Sequence, residues 1–376
     1  MILSKSMDMS LDKSSWVSRA TSERKEVSLQ AYQRYKRRNL LVFCLLLCCL
    51  ILIALLSLRS GSYETSLLEI AKAVAGKATD SKVNTVVRNI RLPRVLTAIV
   101  GGWGLGIAGC VLQAILRNPL ASASTLGISQ GASFGAAFAI IVLGAGAQGS
   151  TIAAMQFSNP LLISFCAFLC SIGVSVIILA LSRFQKITPE AMVLAGVALS
   201  AIFQGATTLL QFFANEVQLA SVVFWTFGDL GRTSWKEVGI MTVVVLLATG
   251  YFVASRWNYN ALESGEQTAV SLGVNVHRVR IANMVVCSLT AAVIVSYLGI
   301  INFIGLVAPH IVRKVVGNNH TFLLPCSAVM GSILLLLGDF AARTVISPVI
   351  LPIGAITSFL GAPLFLYLLF KGGKKL

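Results

Sequence analysis

From Leu40 to Leu58 the chain carries no charged side chain, and eight further stretches are nearly as apolar, at about residues 94–116, 125–146, 160–182, 191–213, 238–255, 281–316, 323–342 and 350–370. A helix needs ~20 apolar residues to cross a bilayer, and backbone inside the hydrocarbon must satisfy its own hydrogen bonds. Stretches of this length, repeated so closely, leave an all-α polytopic membrane protein as the fold class. Composition agrees, because 12% of the 376 residues are charged against roughly 25% in a soluble domain. A soluble enzyme, a nucleic-acid binder and a secreted disulfide scaffold are excluded on the same ground.

The stretch 281–316 is far longer than one span requires. It holds Gly299, Gly305 and Pro309, each able to interrupt a helix. Residues 1–38 are polar and end in Arg34-Tyr35-Lys36-Arg37-Arg38, while the C-terminus carries Lys371, Lys374 and Lys375. Basic flanks collect on the cytoplasmic side, so both termini are placed there and the number of spans is even. A break near Asn302 makes ten. On that topology twenty of the thirty Lys and Arg lie inside, and the formal charge of +16 is a membrane protein's charge bias. The charged segment is too long for a cleaved signal peptide. We read 1–38 as a cytoplasmic tail and 39–372 as a ten-span domain in a cell membrane, with 256–280 its largest inner loop.

Several motifs lead nowhere chemically. Gly104-Leu-Gly106-Ile-Ala-Gly109 copies a dinucleotide fingerprint, yet it lies inside an apolar stretch with no strand before it. Gly102 and Gly106, and the stripe Gly127, Gly131 and Gly135, are spaced instead for close helix packing in lipid. No Walker-type phosphate loop is present, so nucleotide energy has to come from a partner. The eight cysteines and three histidines lack metal-ligand spacing, and no Ser/His/Asp set converges, so no catalytic or metal residue is assigned. His310 is expected to bond carbonyls freed beside Pro309. Asp339 is the acid set deep in an apolar stretch, four residues before Arg343, a spacing that pairs them on one helix face.

Two features remain. Seven of the ten outer basic residues fall within 59–94, against the usual bias. Arg91 and Arg94 share a helix face there, and with Arg343 they are expected to form a basic patch that receives acidic residues of a docking protein. On the inner side, a helical stretch from about Leu262 to Leu272 ends at Gly273. Leu262, Ala269, Val270 and Leu272 form its apolar side, and Glu263 and Glu266 stay polar. So short a helix needs a partner surface, and we expect it to press into a cytoplasmic subunit.

The chain resembles the FecCD-type permease subunits of type II ABC importers, which carry iron-siderophores, haem and cobalamin. The resemblance lies in Arg91-Leu-Pro-Arg94, in Gln113-Ala-Ile-Leu-Arg-Asn118-Pro-Leu, in Leu126-Gly-Ile-Ser-Gln-Gly-Ala and in Val193-Leu-Ala-Gly-Val-Ala. It continues through Ser-Leu272-Gly273-Val274 and Ile304-Gly-Leu-Val-Ala-Pro-His310-Ile-Val-Arg313 to Gly338-Asp-Phe-Ala-Ala-Arg343, Leu351-Pro-Ile-Gly-Ala and Gly361-Ala-Pro-Leu-Phe. The resemblance implies ten spans, a pore made with a second copy of the chain, two cytoplasmic ABC ATPases and an extracytoplasmic solute-binding protein. ATP and Mg would bind the ATPases, and this chain would hold no cofactor. It implies coupling through Glu266, Ala269, Leu272, Gly273 and Val274, an inner gate at Asn118 and Leu120, and docking at Arg91, Arg94 and Arg343. The segment around Asp229 and Arg232 is more charged than the family pattern. A proton-coupled secondary transporter acting alone is the alternative, disfavoured by the scarcity of buried acids.

Overall fold

The computed structural model describes residues 2–60, 66–74, 76, 81–148, 156–184, 188–346 and 349–372. The chain divides into two compact units, Met1–Leu45 and Leu46–Leu376. The division falls inside the first apolar stretch, beyond the end of the basic tail at residue 38. In the first unit Arg34, Lys36, Arg37 and Arg38 are exposed, and the Arg38 guanidinium stands 5.7 Å over the Tyr35 ring.

Among the described residues seven helices are long and apolar enough to cross a membrane. They are α1 (Ile2–Arg59) over its residues 30–59, α4 (Leu92–Ile115), α6 (Pro160–Phe184), α7 (Pro189–Phe212), α9 (Trp235–Ala254), α12 (Val276–Leu298) and α14 (His320–Thr344). Helix α4 is approached through α2 (Leu67–Val74), α3 (Ser81–Val86) and a π turn, Val87–Arg91. Helices α5 (Ile128–Ile141), α13 (Ile304–Val316) and α15 (Ile353–Gly372) take the three remaining apolar stretches. Short helices α8 (Glu216–Thr226), α10 (Arg256–Glu263) and α11 (Glu266–Ser271) lie in connections. A two-residue antiparallel pair, β1 (Ala147–Gln148) with β2 (Gln156–Phe157), closes the connection after α5.

Local chemistry sets the helix starts. Thr188 caps α7 ahead of Pro189, and Asn215 with Gln218 and Ser234 with Glu237 form capping boxes for α8 and α9. The stretch 281–316 breaks at residues 299–303, where Gly299 (φ 79°) and Phe303 (φ 65°) are left-handed. A side chain at Gly299 would meet the Trp225 carbonyl at 2.5 Å, so glycine is required on two counts. Gly305 and Pro309 lie within α13 and do not break it. Proline at 309 leaves the Gly305 carbonyl without its helical donor, and that carbonyl turns onto Gly109 of α4.

The core forms where backbones touch. Helix α14 runs antiparallel along α4, and a Cβ at Gly102 would lie 2.4 Å from the Gly331 carbonyl oxygen. At Gly106 it would lie 2.4 Å from that of Ser327. Helix α5 meets α6 in the same way, Gly131 facing Cys170 and Gly135 facing Cys166. Gly127 stands apart from its stripe: it caps α5 with φ 81° and faces Gly196 of α7. Around α5 and α6 this proximity seals a cluster of Ala132, Ala136, Ile140, Ile163 and Trp225. The glycines thus bring the charged ends of α4 and α14 side by side.

Candidate functional site

At the end where α4 begins, charge is buried. Asp339 of α14 is fully enclosed, and it accepts Arg94 Nε at 2.8 Å on one oxygen and Arg343 Nε at 2.9 Å on the other. Arg343 also donates to the Ser57 carbonyl at 3.3 Å, the Ser57 hydroxyl at 2.5 Å and the Ser60 carbonyl at 3.1 Å. Arg91 donates to the carbonyls of Leu58 and Arg59 at 2.8 and 3.4 Å. These are the last carbonyls of α1, which have no acceptor role left within their own helix. Only 11% of the Arg94 and Arg343 side chains is exposed. The three arginines expected to form an open docking patch are therefore committed to a brace joining α1, α4 and α14. Among the described residues, exposed basic charge at this end is carried by Arg59, Lys72, Lys82, Arg88 and Lys236.

The charged segment before α9 joins this brace. The Asp229 carboxylate accepts the Gly231 N–H at 2.8 Å and stands 3.7 Å from Arg94. Arg232 donates to the Phe224 carbonyl at 2.5 Å. Burial pulls the Arg232 guanidinium below its usual range, and Asp229 partly offsets this. Arg232 and Glu237 line a cavity of about 70 Å³ with Trp225, Thr233, Ser296 and Tyr297, room for about two waters.

At the opposite end α4 runs into a tight turn. Arg117 is left-handed, with φ 45°, and the Asn118 side-chain oxygen accepts the Leu120 N–H at 2.9 Å. Leu120 itself is 41% exposed. Next comes a knot of hydroxyls: Ser122 with Ser124 at 3.0 Å, and the Thr125 hydroxyl donating to the Leu120 carbonyl at 3.2 Å. Ser122, Ser124 and Thr125 line a pocket of about 280 Å³ with Asn302, Phe303 and Leu306. Sequence reading missed this hydroxyl wall. The crowding of Ser122, Ser124 and Thr125 behind Pro119 was its signal.

The inner loop departs from a single helix. Gly265, at φ 116°, divides it into α10 and α11, because that conformation is closed to other residues. Gly273 ends α11 at φ 84°, with its N–H on the Val270 carbonyl at 2.9 Å and the Val274 N–H on the Ala269 carbonyl at 3.0 Å. This paired bonding is a Schellman motif. The expected apolar side splits in two. Leu262 and Ala269 are fully buried, whereas Val270 and Leu272 are 61% and 68% exposed. Ala269 anchors α11 to its own bundle and Val270 and Leu272 face outward. Glu266 forms an ion pair with Arg280 of α12. Nearby, burial raises the Tyr259 phenol well above its usual range, and its hydroxyl donates to Asn283. His310, expected to bond freed carbonyls, stands edge-on to Phe365 with ring centres 6.2 Å apart.

Comparison with known proteins gives one consistent answer. Residues 49–371 match the model of the FecCD transport family. A protein of Methanocaldococcus jannaschii named as an ABC transporter permease is 49% identical over 346 residues, covering 92% of this chain and 99% of that one. The hemin transport system permease protein of Yersinia pestis is 33% identical over 332 residues, covering 87% of this chain and 96% of its own. Among solved structures, a chain of an ABC transporter named as of metal-chelate type, in an inward-facing conformation, superposes with a TM-score of 0.76 at 30% identity. That match covers 88% of this chain and 99% of the other.

Proposed function

The chain belongs to the FecCD transport family and is a permease subunit of an ABC importer, and from that premise we propose that two copies enclose a pore for a bulky metal chelate. Hemin, ferric citrate and vitamin B12 are named for three relatives, and molybdate, a smaller oxyanion, for a fourth. The observation that carries the reading is the match to nearly the whole of a chain from an ABC transporter named as of metal-chelate type, at 30% identity.

Charge asymmetry puts the α10–α11 end in the cytoplasm with both termini. There Val270 and Leu272 offer an apolar edge on a helix held from behind by Ala269, suited to a groove on each of two ATPases. ATP and Mg bind those partners, and this chain supplies the path. Asn118 and Leu120 narrow the inner mouth. At the outer end the exposed Lys72, Lys82 and Arg88 meet acidic side chains of a solute-binding protein, over the brace of Arg91, Arg94 and Arg343. The proton-coupled alternative loses its best candidate, because Asp339 is held between two guanidiniums.

Purified permease, reconstituted with its ATPase and solute-binding protein, should take up haemin, ⁵⁵Fe-citrate or cyanocobalamin only when ATP is supplied on the α10–α11 side. Uptake by the permease alone under a proton gradient would overturn the reading.

A further inference from the structure

The last four carbonyls of a helix lack helical donors, and in α4 three of them find backbone caps. Leu112 receives the Leu116 N–H at 3.0 Å, Gln113 the Asn118 N–H at 3.2 Å, and Ala114 the Arg117 N–H at 3.3 Å. The fourth, Ile115, is capped by a side chain from another helix: Arg280 Nε donates to it at 3.2 Å. The same planar guanidinium reaches Glu266 through Nη2. Glu266 is the first residue of α11, where an acid suits the helix dipole. One rigid group therefore joins the outward-facing inner helix to the final carbonyl of α4, two residues before the strained Arg117 and three before Asn118.

The far side of the same turn is fixed. Gln113 donates to the Leu306 carbonyl at 3.2 Å and accepts from Arg313 at 3.2 Å, tying it to α13. A six-residue helix has little stability of its own, so α11 moves as its contacts allow, and its charged contact is Arg280. We propose that Arg280 is a positioning residue that transmits displacement of α11 to the turn at 117–120. Glu266 pulls the guanidinium through Nη2 and Ile115 follows through the parallel Nε donor, while Gln113 holds the pivot. The fork matters, since a lysine ammonium cannot present two fixed, parallel donors.

This inference rests on the proposed docking of an ATPase against α11. The test uses the full permease–ATPase complex in proteoliposomes, with Leu120→Cys as a reporter in a background lacking the exposed Cys44, Cys48 and Cys49. Labelling by a membrane-impermeant maleimide is timed without nucleotide and after trapping with ATP and vanadate. In the otherwise native chain the rate should change about fivefold or more, the lower range of measured coupling between sites. Arg280→Lys should leave the complex assembled and hydrolysing ATP, and both it and Glu266→Ala should abolish the labelling change. The exchange Glu266→Arg with Arg280→Glu restores an ion pair but not the donor to Ile115, so it should fail to rescue. Rescue by the exchange, or a full labelling change in Glu266→Ala and Arg280→Lys, would overturn the relay. No nucleotide response in the otherwise native chain would instead sink the gate assignment, and the relay with it.

Discussion

A buried carboxylate between two guanidiniums is expensive to leave half-made. Replacing Asp339 with Asn removes the buried charge that Arg94 and Arg343 share, though each keeps other partners, and breaking a buried ion pair costs about 3–5 kcal/mol. Asp339→Asn should therefore lower the thermal unfolding midpoint in detergent sharply, and Asp339→Glu less. A change confined to solute-binding-protein affinity, with unfolding untouched, would show that the brace is not structural. The inner loop gives a finer contrast. Gly273 has open space around it but a left-handed backbone, so Gly273→Ala should cost about 1–2 kcal/mol of local strain and weaken ATPase association without loss of fold. Leu272→Glu should abolish association in a normally inserted protein. Ala269→Arg should fail differently, since it drives a charge into a fully buried position. Size-exclusion profiles and ATPase pull-down separate the three.

Between elements the decisive contact is that of α4 with α14. Gly102→Leu or Gly331→Leu must push two backbones apart, and overpacking alone costs about 1–3 kcal/mol before the brace beyond it is disturbed. Each should lower stability, and the pair should cost less than the sum because the first change already opens the gap. Additive losses by thermal melt would argue that the helices do not share this contact. What was legible in the sequence follows from reach. Apolar length gave the spans, the overlong stretch gave a break near Asn302, and the four-residue spacing gave Asp339–Arg343 within one helix. Arg94 reaches Asp339 across 245 residues, and no local spacing announces such a meeting. That is why an open patch was expected where a brace stands. On α11 every apolar residue looked alike, because which face a short helix buries is set by the bundle behind it. Gly265 was passed over for a related reason: glycine permits a break without requiring one.

At the scale of the whole molecule, the chain matches a transporter subunit over nearly its full length, and transport belongs to the assembly. The proposed inner gate and the proposed docking surface for a solute-binding protein lie at opposite ends of the bundle, so the two ends should fail independently. Reversing Lys72, Lys82 and Arg88 to Glu should weaken capture of the solute-binding protein in a salt-sensitive way, leaving ATPase assembly intact. Equal loss of both in binding assays would refute the separation. The glycine contact between α4 and α14 also sets a timetable for biogenesis. Gly102 leaves the ribosome roughly 230 residues ahead of Gly331, which at about 5–20 residues per second is about 10–45 s. Through that interval α4 sits in the bilayer with its narrow face unoccupied, and the end of α1 awaits an arginine not yet translated. The last third of the chain thus decides whether the first third is seated. A stall between α12 and α14 would leave a nascent protein whose early spans have all been inserted and whose central groove is still open to any other small-faced helix nearby.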